Sequence, residues 1–106
     1  MSRSLGVTTV MILTAVERRV CYGLDIVHRT GLLPGTVYTT LRRLERKGHV
    51  AGRWEDAEVA ESHRRPRRRY YELTDSGRRA LEATRAHFEA MGVELPSSFA
   101  VAGDAE

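Results

Sequence analysis

Cysteine occurs once, at Cys21, so no disulfide can close within the chain and no cysteine cluster can hold zinc. A membrane-length apolar run is also missing. The apolar stretch over 5–16 is interrupted by Thr8, Thr9 and Thr14, lacks a small-residue cleavage site and is too short to cross a bilayer. These absences fit a reducing compartment, and a cytoplasmic protein is expected. Catalytic constellations are absent as well. His28, His49, His63 and His87 are scattered, with no carboxylate pair, Ser-His-Asp set or phosphate-cradling glycine loop beside them. The expectation is a protein that is not an enzyme and needs no cofactor. Cys21 and His28 lie seven residues apart and could share a helical face, but two ligands do not complete a metal site. No metal is expected.

What the chain does contain is an uneven basic charge. Its 106 residues suit one domain with a modest core, and 42% hydrophobic with 29% charged residues is ordinary for a soluble protein. The formal charge is only +3. Segment 42–69, however, holds ten Lys or Arg against five Asp or Glu, a larger surplus than that of the whole chain. A basic segment of this kind points to nucleic acid more strongly than net charge does.

Segment 34–47, PGTVYTTLRRLERK, organises the rest. Proline suits the first turn of a helix, where a missing N–H costs nothing. Val37, Leu41 and Leu44 recur at helical spacing and form a stripe for a core. Thr39, Arg42, Arg43 and Arg46 then fall on the opposite face, with Gly35 and Thr36 near the leading end. Helices that enter the DNA major groove place short polar groups near base edges and cations near phosphates. An amphipathic helix with a solvated arginine side has the same pattern, so the neighbouring segments decide.

Helices are predicted over 5–19, buried on one side, and over 22–30, where Gly31 provides the stop. A short helix, a turn with glycine and the helix at 34–47 make a helix-turn-helix. Alternation predicts a strand over 50–54, and Arg69-Tyr70-Tyr71-Glu72-Leu73 predicts a second. The loop between them carries Glu55, Asp56, Glu58 and Glu61, then Arg64, Arg65, Arg67 and Arg68. Such a hairpin beside a helix-turn-helix reads as a wing whose arginines touch phosphates. Thr74 is an expected N-cap for a last helix over 75–91. There Leu81, Thr84, Phe88 and Met91 recur at three- and four-residue steps, a seam that either pairs with another helix or packs on the domain. Residues 92–106 are expected to be a disordered tail.

From Val10 to Leu81 the chain resembles the PadR family of winged-helix transcriptional regulators. The likeness rests on Tyr22-Gly23-Leu24-Asp25-Ile26, Pro34-Gly35-Thr36-Val37-Tyr38, the run from Leu41 to Gly48, and the run from Pro66 to Thr74 with Gly77 following. The resemblance implies a mainly α fold with a small β-hairpin (α+β): a winged helix-turn-helix over 5–74 and a dimerisation helix over 75–91. It implies a homodimeric repressor on an inverted-repeat, double-stranded DNA operator. Gly35, Thr36, Tyr38, Thr39, Arg42, Arg43 and Arg46 of the helix and Arg64, Arg65, Arg67 and Arg68 of the wing would contact DNA. Leu81, Thr84, Phe88 and Met91 would form the dimer contact. A small aromatic effector would meet Trp54, Phe88 and Met91. Four departures stand out. Leu33 replaces the usual serine before the proline, Thr39 replaces a proline, Leu24 replaces a tyrosine, and the turn between the two helices is short. The rival readings are a winged helix that binds protein and a metal- or thiol-responsive regulator.

Overall fold

The computed structural model describes residues 5–95. Its first helix, α1 (Val7–Glu17), is buried along almost every side from Thr9 to Val16, except at Met11. The sequence expectation of a helix buried on one side only is therefore corrected. α1 is the central rod of the domain, packed by α2, α3, α5 and the hairpin, and a helix that is apolar all round belongs inside. Tertiary burial of Val10, Ile12, Leu13 and Val16 also offsets the weak helix propensity of its β-branched residues.

α2 (Gly23–Thr30) and α3 (Pro34–Arg46) follow across a three-residue turn. Gly31 takes a left-handed conformation at φ 74°, and its N–H donates to the Val27 carbonyl. Val37, Thr40, Leu41 and Leu44 of α3 pack inward, and Gly48 at φ 79° reverses the chain beyond its end. β1 (Val50–Trp54) and β2 (Arg69–Leu73) pair antiparallel, with Val50 opposite Leu73 and Trp54 opposite Arg69. The Tyr71 N–H donates to the Cys21 carbonyl at 2.8 Å, and Tyr22 bridges to Tyr70. Residues just ahead of α2 thus act as a third rung that fixes the hairpin to the helix-turn-helix.

The wing is not the open loop expected. Its connection contains a short helix, α4 (Ala57–Ser62), which buries Ala60. Ala57, Glu58, Ala60 and Glu61 are strong helix formers, and their propensity outweighed the charge pattern that suggested a loop.

α5 (Asp75–Ala90) begins where expected, with Thr74 Oγ1 accepting from the Gly77 N–H at 3.0 Å. A Cβ at residue 77 would collide with the His49 carbonyl oxygen, so glycine is required for α5 to lie against the start of the hairpin. The expected pairing seam needs correction. Leu81 and Thr84 are buried inside the protomer against α1, where the Leu5 N–H donates to Thr84 Oγ1. Arg85 crosses to Glu17 and Thr14 from the same face. Phe88 is half-buried and Met91 exposed. The tail expected from residue 92 lies outside the described residues beyond Leu95.

Candidate nucleic-acid interface

Helical rotation divides the outer surface of α3 into three strips. Gly35, Thr39, Arg42 and Arg46 lie directly opposite the buried stripe, and all are exposed. The side chains of Arg42 and Arg46 make no hydrogen bond or ion pair among the described residues, so their guanidinium donors face solvent unsatisfied by protein. No side chain lies over Gly35, which leaves the leading turn open to close approach.

The flanking strips are already in use. Arg43 turns towards α1, where its Nη2 donates to Thr9 Oγ1 at 3.1 Å. Tyr38 turns the other way and lies on Gly23 at the start of α2, where a Cβ would meet the tyrosine ring. It is still 39% exposed. Glu45, on the same side as Tyr38, pairs with Arg69 of β2 at 2.6 Å and ties α3 to the wing. Thr36 is half-buried. Of the seven helix residues expected to contact DNA, four therefore form one unobstructed strip and three are shared with the fold.

At the wing base sits a carboxylate clamp that residue spacing alone had not revealed. Glu55 is 6% exposed. Its two oxygens accept from Arg65 at 2.6 and 2.9 Å, and the same carboxylate accepts from the Arg68 N–H at 3.2 Å. Hydrogen bonding from Arg65 holds the Glu55 carboxyl at about 2, well below its ordinary value of 4.5. The same bond raises the pKa of Arg65. The strand register held the signal for this clamp: continuing the pairing by one residue sets Glu55 opposite Arg68, and the Glu55 N–H indeed donates to the Arg68 carbonyl.

The four wing arginines therefore play unequal parts. Arg65, expected to contact phosphate, is paired within the protomer to Glu55. Arg67 donates from Nε to the Glu55 carbonyl and leans over Trp54, and Arg68 lies 4.0 Å above the Tyr22 ring. Both keep their charge, since a carbonyl and an aromatic face do not neutralise it. Arg64 is exposed, at φ 56°, and its side chain makes no hydrogen bond or ion pair among the described residues. Arg64, Arg67, Arg68 and the α3 strip leave the cationic groups of this surface open to an anion.

The remaining expectations are resolved by position. Trp54 lines a cleft of about 420 Å³ at the wing base with Tyr22, Leu24 and Tyr38, and neither Phe88 nor Met91 lines that cleft. Of the three residues expected to meet an effector, that cleft holds Trp54 alone. Cys21 precedes α2, so it shares no helical face with His28. Burial pushes its thiol up, away from the reactive thiolate. The described residues contain no group of three His, Cys, Asp or Glu side chains placed to hold a metal. Among the described residues no helix is long and apolar enough to cross a membrane.

Comparison with known proteins agrees with this fold. Residues 12–83 match the sequence profile of the transcriptional regulator PadR-like family. A crystal structure of a PadR family transcription regulator from Clostridium difficile superposes with a TM-score of 0.69 at 27% identity, covering 82% of this chain and 92% of that one. A PadR-like transcription factor from Bacteroides fragilis gives 0.68 at 22% identity over 79% and 82% of the two chains, a likeness of fold alone. Pex from Synechococcus shares the fold at a TM-score of 0.53 and 20% identity, over 82% of this chain and 86% of that one. No curated protein matches the chain.

Proposed function

The chain belongs to the PadR-like family of transcriptional regulators, and from that premise we propose that it is a homodimeric repressor that binds an inverted-repeat DNA operator. The observation that carries this reading is the open strip of α3 beside a wing that keeps Arg64, Arg67 and Arg68 charged. In it, Gly35 and Thr39 meet base edges while Arg42 reaches guanine or the adjoining backbone. Arg46 and the wing arginines hold phosphates, which fix position and carry no direct sequence information. Two recognition helices about 34–36 Å apart would read successive major grooves on one DNA face. Repression follows from occupancy of the promoter by the dimer.

A winged helix that binds protein would not need this density of unpaired arginine, and it is the less favoured reading. Selection of bound duplexes from a random pool at fixed salt tests the proposal. The expected result is an enriched palindrome, bound on the order of 1000-fold or more above scrambled duplex. Recovery of no preferred sequence, with weak binding that salt abolishes, would reject it.

A further inference from the structure

The most exposed large apolar side chain among the described residues is Leu33, at 73%. It occupies the residue just before α3, in an extended conformation that swings its side chain outward. Continuing the helix backwards would instead have set position 33 in line with Thr40, which is buried. Leu33 also leaves the helix without a side-chain cap, a role that a short polar residue would fill. The missing cap acts against stability, and a side chain this exposed buries little apolar surface to offset it. Immediately behind it stand Pro34 and Gly35, both exposed, with open space above Gly35. The site is therefore an apolar knob at the tip of the one helix whose outer strip is free to face DNA.

Composition restricts what that knob can read. The sequence contains no asparagine and no glutamine, the two side chains that grip adenine in bidentate fashion. Arginine at 42 favours guanine. The bidentate grip on adenine is thus missing, and the mark of an A·T pair in the major groove that an apolar side chain can read is the thymine C5-methyl. We propose that Leu33 is a base-reading residue that seats the C5-methyl of a thymine in each half-site. The proposal rests on the DNA-binding reading above and extends it to a residue outside the polar strip.

Thymine permits a test by one methyl group. The preferred operator is taken from the random-pool selection, and each thymine is replaced in turn by deoxyuridine, symmetrically in both half-sites. Wild-type protein is expected to lose about four-fold in affinity per half-site at one thymine position, the size of one buried methyl. Leu33→Ser is expected to bind the thymine operator correspondingly less well and to be indifferent to the exchange at that position. Its melting temperature should equal or exceed that of wild type, because serine restores the cap. Tight operator binding by wild type that ignores every exchange overturns this inference alone. So does a Leu33→Ser protein that keeps the full thymine preference, or one that melts well below wild type. A pool with no preferred sequence overturns the DNA-binding reading and this inference with it.

Discussion

At the scale of single residues, Glu55 has the largest consequence for the wing. It joins the end of β1 to Arg65, Arg67 and Arg68 through side chain and backbone together. Its carboxyl sits at about 2 in the folded protein against about 4.3 in an unfolded chain. A depressed carboxylate stabilises the fold above its unfolded pKa, and that contribution is lost as pH falls towards the folded value. The wild-type melting temperature should therefore decline between about pH 4.5 and pH 2 more steeply than that of Glu55→Gln. At pH 7 the Gln variant should melt lower, because Arg65 loses its charged partner. Parallel melting curves across that range would argue against the clamp. High salt should shrink the difference, since Arg65 is partly exposed to solvent.

At the scale of elements, helix starts and stops were legible because they rest on local chemistry. Gly31 and Gly48 take the left-handed turns that end α2 and α3, and Thr74 caps α5. The strands were legible from alternation and aromatic content. What stayed hidden was partnership across distance: nothing local says that Glu45 holds Arg69, or that Arg65 belongs to Glu55. The wing arginines separate on that distinction. Arg64→Ala should leave the melting temperature unchanged and flatten the slope of log affinity against log salt by about 0.9, one phosphate contact. Arg65→Ala should instead lower the melting temperature, because it strands a nearly buried carboxylate. Salt titrations and thermal melts of the two variants check this. Equal effects on both readouts would mean that Arg65 also serves DNA.

At the scale of the whole molecule, α5 shows where a sequence pattern has two solutions. A seam at three- and four-residue steps serves a partner helix or the domain's own core equally well, and period alone cannot choose. The domain took Leu81 and Thr84, since α1 needed cover along its full circumference. The proposed homodimer would then be built from what that packing leaves outside. Met91 at 61% exposure and Val93 stand at the far end of α5, and Val7 stands at the start of α1, just after Leu5, whose N–H donates to Thr84 of α5. Half-buried Phe88 lies one helical step from Met91. Such a surface is apolar at one end and carries small alanines, Ala83, Ala86 and Ala90, on the exposed side of the helix, which permits close helix approach. Met91→Glu should therefore lower the sedimentation coefficient from dimer towards monomer at micromolar concentration while leaving the protomer folded, because residue 91 is largely exposed. The same substitution should reduce affinity for a full inverted repeat far more than for a single half-site, since only the dimer gains from linking two sites. Leu81→Ala should behave in the opposite way, costing about 2–5 kcal/mol of protomer stability as a large-to-small change in the core. A Met91→Glu protein that remains dimeric and binds the full operator unchanged would place the contact elsewhere.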